Sequence, residues 1–258
     1  MESTKSLLIQ YAKTYNTKEF ISSDPIQFPH LYKGKKDIEI SAFISSWLAY
    51  GNRKSILKTL KGLHQEFEKE YNSSPFEFIK RRGFEKYKDN TKSLYRFYKY
   101  NDYYSLCQVL YIIYIEEENN SLEEKIKTIL KTRKTETSPC IEVIEIIINL
   151  FKEVEGIPIN SKSACKRLCM LLRWLVRKDK IVDLGIWTIL KPQDLIIPVD
   201  THVHQQAQKL NITTSKQANM KTALEITSYL KTIFPSDPTL ADFALFGYGV
   251  NINSSITN

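Results

Sequence analysis

In the stretch LIIPVDTHVHQQAQKL, Leu195 to Leu210, four apolar residues and a proline run straight into Asp200, and a polar helix pattern follows at once. A carboxylate in that place serves one of two purposes. It caps the helix, accepting a hydrogen bond from a free backbone amide, or it is a charge held at the mouth of a pocket, where it stabilises positive charge. His202 and His204 follow directly. Residues two apart on a helix point in different directions, so the pair does not share one metal ion, and His204 is expected to meet backbone phosphate or solvent. Cys165 and Cys169 share a helix face with no further ligand beside them, which makes them packing residues. With Cys107 and Cys140 they form no CxxC pair, the usage of a reduced compartment. Neither a metal nor a cofactor is expected.

The second group that could do chemistry lies in GIPINSKSACKRLCMLLRWLVRKD. Gly156 and Pro158 make a turn, and Ser161 reads as the N-cap of a helix. That helix carries Ala164, Leu168, Leu171 and Leu175 on one stripe and Lys162, Lys166, Arg167, Arg173 and Arg177 on its other face. A tight turn feeding a basic helix suits a phosphate, because free amides and positive side chains converge there; a solvated charged face is the alternative. The whole chain has 37 Lys+Arg against 29 Asp+Glu, a formal charge of +8, which favours a polyanionic partner. An AT-rich genome would also raise the lysine count.

The elements that must position these residues read as helices. Glycine is scarce, 8 in 258 residues, and apolar residues recur at intervals of three and four. DIEISAFISSWLAYG predicts a helix capped by Asp37 and ended by Gly51. NRKSILKTLKGLHQEFEKEY, SLEEKIKTILKTR, SPCIEVIEIIINLFKEV, TALEITSYLKTIF and TLADFALFGYGV predict others, with KTETSP as a polar link. SLYRFYKYNDYYSLCQVLYIIYI is full of tyrosine, which lines a core or offers stacking platforms for bases. No apolar run approaches the length of a membrane span, and the first residues lack the pattern of a signal peptide, so a cytoplasmic chain is expected.

Several segments together resemble the helix-hairpin-helix (HhH-GPD) DNA glycosylase superfamily. VDTH follows an apolar run and a lysine-bearing helix; DIEISAFISSWLAYGNRKSI is similar to that superfamily's early helix pair, and FALFGYG to its last helix. The order of pieces from Asp24 to Val250 is similar to a bacterial branch closest to the archaeal 8-oxoguanine type. Two departures stand out. The hairpin is IPINSK, without the usual glycines, and no cysteine quartet for an iron–sulfur cluster follows GYGV.

The resemblance implies an all-α, two-lobed fold with a central cleft and no iron–sulfur cluster. Residues 37–190 would form a helical barrel lobe, and 1–36 with 191–258 a second lobe built from both chain ends. It implies base excision from damaged duplex DNA by a monomeric, nucleoid-associated bacterial enzyme, with 8-oxoguanine as substrate and strand cleavage by elimination to follow. A monofunctional glycosylase for alkylated bases and a non-catalytic helix-hairpin-helix module are the alternatives, and a helical scaffold without a nucleic-acid partner is a further one. Breaking an N-glycosidic bond builds positive charge on the sugar, which Asp200 would stabilise. A lysine amine can attack the same carbon and form a Schiff base. Lys162 aligns with the superfamily's lysine, and Lys166, one turn later on the same face, competes with it. The base must leave the duplex to be reached. Asp242 and Phe246, four residues apart on the last helix, would line its pocket, unless they are a cap and a core ring; Gln27 and Trp187 are further pocket candidates. Tyr50, Asn52 and Arg53 at the early helix junction, Arg167 and Arg173 on the basic helix, and His204 are the expected DNA contacts.

Overall fold

The computed structural model describes residues 2–133 and 137–256. Its chain contacts divide it into two units. One contains residues 1–22, 138–144 and 160–258; the other contains 23–137 and 145–159. The unit that holds both chain ends also takes in the basic helix.

The first unit opens with α1 (Glu2–Tyr15) and α2 (Lys18–Ser22). After the first turns of α8 (Pro139–Leu150), it continues with α9 (Lys166–Val176), α10 (Thr201–Lys209), α11 (Met220–Lys231) and α12 (Ala241–Ile256). α12 packs on α1 and α10. Its Phe243 and Phe246 meet Phe20 edge-on at 5.1 and 5.5 Å, and Phe246 also meets Tyr15 at 5.7 Å, a geometry favoured by the ring quadrupoles. α9 is apolar on most of its surface. Leu168, Leu171, Leu172, Trp174 and Leu175 are all buried, and the loop after it folds back so that the Leu184 and Trp187 amides donate to the Trp174 and Leu175 carbonyls. These bonds satisfy carbonyls that a helix end would otherwise leave open.

In the second unit, α3 (Lys35–Leu48), α4 (Arg53–Glu70) and α5 (Pro75–Lys80) precede a short hairpin, β1 (Ser93–Tyr95) and β2 (Tyr98–Lys99); α6 (Tyr100–Tyr111) and α7 (Leu122–Lys131) follow, with the rest of α8. α3 is buried all round from Ile38 to Leu48, which is why its sequence shows so weak a polar face. Phe43 stacks on Phe151 at 4.2 Å. Two ionisable groups taken into this core, Glu39 and His64, are matched. Glu39 accepts from the Tyr114 hydroxyl at 2.6 Å and the Leu122 amide at 3.0 Å. His64 sits between Ser41 Oγ at 2.8 Å and the Leu60 carbonyl at 2.9 Å, and burial pushes it down to about 4, so it is neutral.

The chain is thus mostly helical, with three local departures from the expected elements. α3 is capped by Gly34, and Asp37 lies in its first turn, where Oδ1 accepts from Ser74 Oγ at 2.6 Å and the Phe76 amide at 2.9 Å. The tyrosine-rich segment begins as the β1–β2 hairpin, and a π-helical turn at Ile112–Glu116 ends it. Its rings line the core: Tyr95, Tyr98, Tyr103 and Tyr114 are buried. The basic helix begins at Lys166, not after Ser161; residues 161–165 are loop, and Ser163 pairs with Asn219 in an isolated bridge. The KTETSP link lies partly outside the described residues.

Candidate active site

Three helix starts in the first unit carry charged side chains that act on one another. Lys166 is the first residue of α9, which Cys165 introduces in the left-handed conformation, φ 46°. Asp200 is the N-cap of α10: Oδ1 accepts from the Val203 amide at 2.9 Å. The buried run Leu195–Val199 anchors the approach to it, and the Ile197 amide donates to Thr227 Oγ1 at 3.1 Å. Asp242 lies in the first turn of α12, after the turn Pro238–Leu240. Both carboxylates sit at the positive ends of helices, the placement that favours a negative charge.

The electrostatics bring these three together. Burial pushes the Asp242 carboxyl up to about 6; the Arg173 guanidinium pulls it down, the Asp200 charge pushes it up again, and Lys166 pulls it down. Asp242 therefore feels Asp200 and Lys166 directly. Lys166 is half-buried, and its amine makes no ion pair or hydrogen bond among the described residues. Asp200 is also half-buried, with one oxygen given to the cap. An amine and two carboxylates are groups that can transfer protons, stabilise a cationic centre and attack an electrophilic carbon.

Beneath Asp242 lies a buried ion network. The Arg173 side chain is 3% exposed; it pairs with Asp242, and its Nε is 3.3 Å from Asp183 Oδ1. Arg177 Nη1 reaches Asp183 Oδ2 at 2.9 Å and Asp179 Oδ2 at 2.5 Å, and its Nε reaches Asp237 Oδ2 at 2.6 Å. Both guanidinium groups stand over the Phe243 ring, at 4.7 and 5.4 Å, an added attraction. Burial pushes the Asp183 carboxyl up, against the pull of Arg173 and Arg177. This network fixes the start of α12 and with it Asp242.

The other sequence candidates separate into three groups. Lys162 is exposed on the loop; its amide donates to Asn160 Oδ1 at 3.0 Å, and its carbonyl accepts from Met220. Of the two lysines, Lys166 is the one whose charge acts on the Asp242 carboxyl. In the turn before α9 the Lys162 amide is thus already taken by the Asn160 side chain. Arg173, Trp187 and His204 are corrections. Arg173 is locked in the network, its side chain 3% exposed. Trp187 is 2% exposed and presents no face for stacking. His204 is buried, with Nε2 3.0 Å from the Ser215 carbonyl. Phe246 is half-buried against Tyr15 and Phe20 one turn beyond Asp242, and Arg167 is half-exposed on α9.

Gln27, Tyr50, Asn52 and Arg53 belong to the second unit. Gln27 Nε2 donates to the Asp24 carbonyl at 3.2 Å. Asn52 is the N-cap of α4, accepting from the Ser55 amide at 3.1 Å, and Arg53 lies 3.8 Å from Asp24. Tyr50 packs edge-on against Tyr95 and Tyr98. Sequence reasoning missed Asp183, Asp179 and Asp237. Only the first two left a local signal, aspartates following Arg177 in RKDKIVDLG.

Fold and site together define a mostly helical protein with a lysine–dicarboxylate cluster at three helix starts. Over residues 24–251 the chain matches the family described as Protein of unknown function (DUF2400), and it belongs to that family. This is not a helix-hairpin-helix glycosylase family, so the kinship drawn from VDTH and from the order of helices is overturned. The motif is four residues long and its aspartate caps a helix here; the hairpin that would have made it specific lacks its glycines. No curated protein and no solved structure matches the chain. No helix is long and apolar enough to cross a membrane, and no group of three or more metal-ligating side chains occurs among the described residues.

Proposed function

We propose that the chain is an enzyme that breaks the N-glycosidic bond of a damaged purine in duplex DNA, 8-oxoguanine being the first substrate to try, with Lys166 as its amine nucleophile. The substrate is carried over from the sequence expectation, and what supports the reading now is site chemistry and charge. The observation that supports it most is an Asp242 carboxyl pushed up to about 6, on which the charges of both Asp200 and Lys166 act, with the Lys166 amine making no ion pair among the described residues. The net charge of +8 suits the polyanionic partner.

In this reading Asp242 gives its proton to the departing base as the bond from C1′ to the base nitrogen breaks toward the base. The Asp200 carboxylate stabilises the positive charge left on the sugar. The Lys166 nitrogen then bonds to C1′ and passes its surplus proton to Asp200. Asp200 returns that proton to O4′ as the C1′–O4′ bond breaks to give an imine cation, and the Asp200 carboxylate then takes a C2′ proton as the electron pair expels the 3′ phosphate. The enzyme and its DNA partner stand or fall on incubating the protein with duplexes that each hold one lesion. Release of one base and a nicked strand are expected; a full panel left intact overturns the reading.

The acid role of Asp242 fixes a pH dependence. With its carboxyl at about 6, the protonated fraction is large below that value and falls about tenfold for each pH unit above it. Single-turnover excision is therefore expected to slow as pH rises through about 6 and beyond. Asp242→Asn should remove that limb of the profile. A wild-type profile flat from pH 5 to 8 would contradict the role.

A further inference from the structure

The hairpin of the second unit ends in an unusual pair. Tyr95 and Tyr98 are partners in the β1–β2 register, so Arg96 and Phe97 alone form the loop. Two-residue hairpin loops ordinarily use glycine or asparagine, because at least one position needs positive φ. Here Arg96 takes φ 52°, which costs an L residue about 1–2 kcal/mol. The Phe97 side chain is left 80% exposed. Neither choice helps the hairpin fold.

The two residues close a ladder of stacked groups. Trp47 lies flat on Tyr98 at 4.3 Å and 11°, and Tyr98 meets Tyr50 at 5.2 Å. The Arg96 guanidinium stands over the Tyr50 ring at 5.4 Å and over the Phe97 ring at 5.7 Å. The backbone holds this ladder tightly. A Cβ at Gly51, φ 86°, would strike the Arg96 guanidinium, and one at Gly156, φ 83°, would strike the Tyr98 hydroxyl. A rigid ladder therefore ends in one open aromatic face with a guanidinium beside it. Lys92 and Lys99 are exposed on the same hairpin, and Arg53 and Lys54 are exposed at the start of α4, which packs on β1. Nearby, Asp102 is spent on the Lys99 amide at 2.7 Å, and Asp24 faces Arg53.

We propose that Phe97 stacks on an unpaired base of a DNA strand while Arg96 and the flanking lysines hold the strand's phosphates. The charge around the ring selects a polyanion over an apolar protein surface, and an open π-face takes any base. The proposal shares the DNA partner of the excision reading but none of its chemistry.

The test is titration of the full chain into a short undamaged single strand carrying 2-aminopurine. Wild type is expected to quench the probe as its base stacks. Phe97→Ala should lose the quench and bind on the order of tenfold more weakly, with its melting temperature unchanged because the side chain is exposed. Phe97→Trp should restore both. A wild type that does not bind or does not quench overturns the proposal, and so does a Phe97→Ala variant that behaves as wild type. If every lesion survives but the Phe97-dependent quench is seen, only the excision reading fails. If bases are excised without that quench, only this one does.

Discussion

Asp200→Asn is expected to slow excision by on the order of a hundredfold or more while leaving the protein folded. The cap contact asks only for an oxygen acceptor: Asp200 Oδ1 receives the Val203 amide at 2.9 Å, and asparagine caps about as well as aspartate. What asparagine lacks is the negative charge opposite the sugar cation. The substitution therefore separates the two roles that the sequence left open at this position. If Asp200 were a cap and nothing more, rate and stability would both be unchanged. Single-turnover excision read beside a thermal melt distinguishes the outcomes. A variant that works at the wild-type rate would remove Asp200 from the chemistry.

Arg173→Ala is expected to cost about 3–5 kcal/mol of stability, the usual result of breaking a buried pair from one side. The side chain is 3% exposed, and its loss strands Asp183, which has no exposure, and Asp242. Arg177 remains beside Asp183 at 2.9 Å, so the loss falls hardest on Asp242. A denaturant titration measures the change. Read as one face of a basic helix, Arg173 should instead weaken DNA binding and flatten its salt dependence. With the guanidinium buried, the salt slope of whatever folded protein remains is expected to match wild type. A stable variant with a reduced slope would mean that the guanidinium reaches solvent and the network is not as described.

These two residues show where the sequence was legible and where it was not. Helix starts marked by a side chain that bonds within three residues were readable at Asn52, Ser121 and Asp200, which cap α4, α7 and α10 through amides three positions on; α11 starts two residues before the expected Thr222, capped by Asn219. Asp37 looks the same in sequence, but its partners are Ser74 and Phe76, far along the chain, and the helix starts earlier. Ser161 fails for a similar reason. The loop behind it is held by Asn160 and Asn219 and does not become helix until Lys166.

Arg173 and Arg177 share a helix face with Lys166, so composition alone gives all three one destination. Asp183, Asp237 and Asp242 bury the two arginines, and their distance in sequence hides the pairing. The half-buried lysine then remains as the one of the three without an ion pair among the described residues. The hairpin was missed because its loop is Arg-Phe instead of a glycine or asparagine pair, which left tyrosines at helical spacing as the dominant signal. The glycosylase kinship came from segment order and one four-residue motif.

The central claim is that the Lys166 amine becomes bonded to the DNA sugar. Incubating wild-type protein with a lesion-bearing duplex and borohydride, then digesting and sequencing the trapped adduct by mass spectrometry, tests it directly. The account predicts one modified peptide with the sugar remnant on Lys166, an adduct abolished by Lys166→Gln and retained by Lys162→Gln. An adduct on Lys162, or excision with no trapped adduct at all, would contradict it.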